Sequence, residues 1–149
     1  MKRDKSGFRG VWSGDMSKEA LAEKIRKKLL IESEITDEIL DKASKLIGLT
    51  KDGKIIFKID RGKLSMADQI LLYLVAKKLA HEAELVDRDS CSTSELSREL
   101  GIPMKVVAAR LSELLKRGFV ERLEIGTYRV SPIAVSETIN RLEGLLSEE

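Results

Sequence analysis

Between residues 92 and 118 the chain carries helix punctuation that leaves its path little freedom. Ser92-Thr93-Ser94-Glu95 is a capping box, a serine followed three residues on by a glutamate, directly ahead of Leu96 and Leu100. Gly101 closes that short helix. Pro103 sits at the first turn of the next one, where its missing N–H costs nothing. This second helix is predicted to run to about Arg117, with Gly118 as its stop, and its apolar stripe is Val107, Leu111 and Leu114. Two helices must therefore turn sharply on one another and share one buried seam.

The flanking segments extend the pattern. After Gly118, residues 119–125 and 128–130 alternate around Gly126-Thr127, which suits a type II′ hairpin with glycine first in the loop. In that register Ile125 faces Tyr128 and Leu123 faces Val130, while Glu124 faces Arg129 on the polar side. Ser131-Pro132 opens a final helix to about Ser147, striped by Val135, Ile139, Leu142 and Leu146. Upstream, a long helix is predicted over about 66–85, apolar on most sides and hence central. Before it, Thr36 caps a helix bearing Ile39, Ala43, Leu46 and Ile47 that Gly48 ends. Residues 55–59 read as a strand after the turn Lys51-Asp52-Gly53-Lys54, pairing with Leu49-Thr50. Ser17 caps a helix to about Ile31 with Leu21, Ile25 and Leu29 in line and Lys24, Arg26, Lys27 and Lys28 around them. Residues 1–16 read as a flexible basic arm with Phe8 and Trp12 docking on the protein.

Composition removes several classes. With 42% hydrophobic and 35% charged residues in 149, the chain is globular with a highly charged surface. No apolar run reaches the roughly 20 residues of a membrane span, and residues 1–15 lack the apolar core of a signal peptide, so a soluble, cytoplasmic protein without membrane partners is expected. One cysteine (Cys91) and one histidine (His81) make neither a disulfide nor a tetrahedral metal site, and no cofactor is expected. Cys91 reads as a small spacer and His81 as a boundary residue. No phosphate-binding glycine loop or nucleophile–base constellation is present, so enzymatic activity is not expected. Net charge is only +2, but residues 1–30 carry +5 and 91–120 carry +2, against −3 for 121–149. Such a local basic bias suits a polyanion. A single Gln69 and a single Asn140 among many Lys, Glu and Arg resemble a thermophile's residue usage.

Residues 94–103, the stripe Val107, Leu111 and Leu114, and the exit Lys116-Arg117-Gly118-Phe119-Val120 resemble the winged helix-turn-helix superfamily over about 66–131, as found in archaeal and bacterial transcriptional regulators. The resemblance implies a mainly α fold with a small β-hairpin wing. Its organisation would be a basic arm (1–16), an N-terminal helical extension with a short hairpin (17–62), the winged module (63–131) and a C-terminal helix (132–149). It implies double-stranded DNA binding, in a regulator or chromatin-associated protein, through a recognition helix at about 103–117 in the major groove.

With the stripe buried, 100° per residue sets Lys105, Ala109, Ser112 and Lys116 on the outward face, with Arg110 nearer the core edge. Lys105, Lys116 and, at the margin, Arg110 are expected to meet phosphates, Ala108 and Ala109 to allow close approach to the bases, and Ser112 to lie on the same DNA-facing side. Lys24, Lys27 and Lys28 are expected to add phosphate contacts. The hairpin tip has no cation, and Arg129 is expected to be occupied by Glu124. The last helix, spaced four, three, four, also fits the seam of a homodimer. The alternative is a winged-helix protein-interaction module, or a subunit of a larger complex, whose apolar face Met104, Val106 and Ala109 meets another protein.

Overall fold

The computed structural model describes residues 17–29 and 35–147, in two compact units, residues 1–32 and 33–149. The expected basic arm lies outside the described residues. In the first unit, helix α1 (Lys18–Leu29) is capped as expected, Ala20 N donating to Ser17 Oγ at 3.0 Å. None of its residues is buried.

The second unit is mostly helical, with two small antiparallel sheets. Helix α2 (Asp37–Ala43) starts at the Thr36 cap and buries Ile39 and Ala43. It stops sooner than the apolar spacing predicts. Strand β1 (Ile47–Leu49) pairs with β2 (Ile55–Phe57), Ile47 opposite Phe57, and Lys58 N donates to Leu46 O at 2.9 Å. These lateral bonds claim the backbone at residues 46–49, so Leu46 reaches the core from the turn that ends α2 and Ile47 from a strand, neither from a continued helix. A 3-10 turn (Arg61–Lys63) leads into α3 (Met66–Glu82), where Ser65 accepts from Asp68 N. Residues 70–76 of α3 are all buried, the centre of one continuous core running from Ile39 to Leu142. The helix closes on Glu84, at φ +62°, with Leu85 N donating to Ala80 O and Glu84 N to His81 O.

Strand β3 (Cys91–Ser92) feeds α4 (Thr93–Leu100), then comes α5 (Met104–Lys116). Only half of the capping box forms. Glu95 N donates to Ser92 Oγ at 2.9 Å, but the Glu95 carboxylate turns to Lys77 Nζ (3.0 Å) and the Tyr73 hydroxyl (3.3 Å) on α3. A charge-assisted bond to an ammonium outweighs a bond to one more backbone N–H. Pro103 stands at the N-cap rather than inside the first turn, where its carbonyl accepts from Val107 N. Gly118, at φ +80°, ends α5, with Phe119 N reaching back to Leu114 O.

The hairpin of β4 (Val120–Glu124) and β5 (Thr127–Val130) joins β3 in a sheet of order β3-β5-β4. Its register is not the type II′ one. Val120 faces Val130, Glu121 faces Arg129, Arg122 faces Tyr128, and Glu124 faces Thr127 after a bulge at Leu123. The loop is Ile125-Gly126, with Gly126 at φ +78° in its second position. Helix α6 (Ala134–Ser147) packs on α2 and α3. Of the stripe that suggested a dimer seam, Val135, Ile139 and Leu142 have no exposed surface and are covered within the chain, while Leu146 is half-buried. Lys42 Nζ to Asn140 Oδ1 (2.8 Å) and a two-bond Arg141–Asp68 pair (2.8 and 3.2 Å) tie its outer edge. Among the described residues no helix is long and apolar enough to cross a membrane.

Candidate nucleic-acid interface

Helix α5 buries Val107, Leu111 and Leu114 and turns the remaining surface outward, as the 100° rule requires. Lys105, Ala108, Ala109, Ser112 and Lys116 are exposed, while Val106 is half-buried. The structure thus brings Lys105, Ala109, Ser112 and Lys116 onto one face, with a cation at each end and small side chains between. Neither lysine makes an ion pair with a described residue. Arg110 is differently placed. Its Nη2 lies 3.2 Å from Glu113 Oε2 one turn on, and its buried Nε has no partner among the described residues.

Two cations escaped the sequence reading. Arg117, the C-cap of α5, lies with its guanidinium carbon 4.7 Å from the centre of the Phe119 ring. Arg122 is exposed on β4 without an ion-pair partner among the described residues. Arg129 Nε meets Glu121 Oε1 at 2.8 Å, and this bond holds the guanidinium charged beyond its ordinary range. Glu124, expected in that role, is exposed beside the loop. A glycine in the second loop position commonly takes a left-handed conformation, and this was the available signal.

Between α5 and the hairpin lies a groove of about 450 Å³ lined by Ser92, Thr93, Ser94, Met104, Lys105, Ala108 and Gly126. Its base is closed where Thr93 N and Oγ1 both donate to Gly126 O, at 2.9 and 3.3 Å. The start of α4 is braced from behind by Glu95, which gathers Tyr73, Lys77 and the Cys91 thiol (3.7 Å) at the junction of α3, β3 and α4. Burial, then the Glu95 charge, pushes the Cys91 thiol far up. Burial, then the neighbouring Cys91 and Glu95, does the same to the Tyr73 hydroxyl. Both stay protonated, so Cys91 has the character of a packed spacer and not of a nucleophile.

Lys24, Lys27 and Lys28 are exposed on α1, in the first unit. A cavity of about 480 Å³ is apolar and lined by α2, β1 and the end of α3, with Lys58 and Glu82 its charged members. Lys58 is occupied by Ser44 O at 2.9 Å. No group of three or more His, Cys, Asp or Glu able to hold a metal occurs among the described residues. Comparison with family models, curated proteins and solved structures finds no match to this chain.

Proposed function

We propose that residues 66–131 form a winged helix-turn-helix that binds double-stranded DNA, with α5 as recognition helix in the major groove and the β4–β5 hairpin as its wing. The element order, helix, short strand, helix, helix, hairpin, and the strand order β3-β5-β4 support the fold. The observation that carries the function is the outward face of α5, small side chains between the unpaired Lys105 and Lys116, with Arg122 on the adjoining hairpin. Lysines at the two ends of a helix meet phosphates on either side of a groove, and Ala108 and Ala109 let the backbone approach the base edges. That face has no Asn, Gln or outward Arg, so phosphate contacts dominate and direct base readout is slight. The site suits a regulator or chromatin-associated protein, and a single copy suffices, because the α6 stripe needs no second chain.

The test is a salt titration of duplex affinity. Each lost phosphate contact flattens the slope of log affinity against log salt by about 0.9. Replacing Lys105 and Lys116 with alanine is therefore expected to lower it by about 1.8 per bound copy. Exposed Met104 beside the groove supports the second reading, a protein partner on the same face. Absence of duplex binding even at about 50 mM salt would select that reading.

A further inference from the structure

Ile125 is 89% exposed, by far the barest of the large apolar side chains described, and it stands at the apex of the β4–β5 loop. The turn itself needs only Gly126, whose φ of +78° a side chain would resist. Among the described residues nothing covers Ile125, and a β-branched residue at a solvated turn is contrary to ordinary turn chemistry. Leu123, the bulged residue two positions earlier, is 46% exposed, so the tip presents two apolar side chains. Cations surround them. Arg122 is on the same strand, and Lys105 stands across the groove that ends at Gly126. The pairing of Glu121 with Arg129 neutralises the carboxylate nearer the hairpin base, which leaves Glu124 as the acidic group beside the tip. Apolar groups at the end of a cationic arm suit a polyanion that also offers an apolar interior. Duplex DNA is such a partner, through its stacked bases.

Resting on the DNA reading above, we propose that Ile125, seconded by Leu123, is a wedge that enters the minor groove and opens a base step, so that the protein selects DNA by deformability. With α5 in the major groove, the sugar-phosphate strand bordering it passes through the groove floored by Ser92, Ser94, Ala108 and Gly126. The next groove beyond that strand is the minor one, where the loop arrives. An aliphatic side chain forms no hydrogen bond with a base edge. Its means of gaining contact is to unstack a step and kink the duplex. Pyrimidine–purine steps such as TA unstack most readily, and A-tracts resist. This supplies the selectivity that the bare face of α5 lacks.

The experiment uses the full chain and two duplexes of about 20 base pairs, alike except for a central TA step or an A-tract. 2-Aminopurine replaces the adenine at the centre of each. The expected result is about tenfold tighter binding of the TA duplex, with a rise in 2-aminopurine fluorescence on that duplex alone. Ile125→Ala is expected to bring the preference below about twofold and abolish the fluorescence change, with the salt slope of wild type unchanged. Ile125→Met, which keeps an apolar tip, is expected to retain most of both. Because Ile125 touches so little, equal thermal midpoints of all three proteins serve as the control on folding. Equal wild-type affinity for the two duplexes, or an Ile125→Ala variant indistinguishable from wild type, overturns the wedge and leaves the DNA reading standing. Equal losses on both duplexes also overturn it, as a contact without step selectivity. If wild type binds neither duplex at about 50 mM salt, the DNA reading fails and the wedge with it, and the apolar tip belongs to a protein contact.

Discussion

Leu142 and Leu145 lie three residues apart on α6, and their substitution by alanine separates an internal helix from an interface helix. Leu142 has no exposed surface, and Leu145 is 46% exposed. Leu142→Ala deletes three carbons from a closed site. Transfer at about 0.8 kcal/mol per carbon accounts for about 2.4 kcal/mol, and the cavity left behind raises the cost to about 3–4. That is a large part of the about 5–15 kcal/mol by which a domain is stable. With a urea slope near 1.5 kcal/mol per molar, the midpoint should fall by about 2–2.5 M. Leu145→Ala should cost about 0.5 kcal/mol, since its position is already half in water. The assay is urea unfolding followed by far-ultraviolet circular dichroism, at two protein concentrations a hundredfold apart. If α6 packs inside its own chain, the wild-type midpoint is the same at both. If α6 were an obligate dimer seam, the hundredfold change would add about RT ln 100, or 2.7 kcal/mol, and raise the midpoint by about 1.8 M. A rising midpoint, together with a Leu145→Ala cost equal to that of Leu142→Ala, would refute the packing argument.

The two left-handed helix ends make an opposed pair of predictions, checked by thermal unfolding. Gly118→Ala should cost about 1–2 kcal/mol although no atom lies within 4 Å of the added Cβ, because φ of +80° is itself unfavourable for a side chain. Glu84→Gly should stabilise by about 0.5–1 kcal/mol, removing the same penalty at φ +62° less the entropy of an added glycine. Alkali should destabilise the protein through Cys91 and Tyr73. Burial raises both above their ordinary values of 9.0 and 10.0, and each is neutral when protonated. The stability they contribute is therefore complete below pH 9.0 and is lost as pH rises, by up to about 1.4 kcal/mol per unit for each group. Urea midpoints from about pH 8 to about pH 11 should fall in wild type, and between 9 and 10 they should fall less in Cys91→Ala. A parallel fall in both proteins would show that other groups govern the alkaline limb.

Local chemistry was the part of this fold open to reading from sequence. Ser17, Thr36 and Ser92 cap helices, and Gly101 and Gly118 end them, because each acts on backbone groups within four residues. The outward set on α5 followed from helical geometry alone. The failures have one physical origin, competition from partners distant in sequence. Leu46 and Ile47 continue the apolar period of α2, and only the bonds to β2 take them out of it. Glu95 fits a capping box until Lys77 and Tyr73 offer a better site. The α6 stripe told which face is apolar but not that α2 and α3 cover it.

The hairpin loop lies one residue earlier than expected, and the pairing of its strands is displaced by two residues at the tip and three at the base. In the type II′ register, Ile125 would have lain beside Tyr128 and Glu124 would have neutralised Arg129, giving a short hairpin with a bland tip. In the observed register the bulge at Leu123 lets Glu124 pair with Thr127, and Glu121 takes Arg129. Arg122 has no ionic partner among the described residues, and Ile125 moves from the face of a strand to the apex of a loop. The tip then presents two exposed apolar side chains, Leu123 and Ile125, beside that cation. Charge brings such a tip to a phosphate backbone with little regard to sequence, since every step carries the same phosphates. Apolar insertion then discriminates, because the cost of opening a step depends on which bases are stacked there. On the proposed DNA reading, an α5 face poor in hydrogen-bonding side chains and a hairpin with an exposed isoleucine are complementary features. The first sacrifices direct readout, and the second can restore selectivity through the mechanics of the duplex.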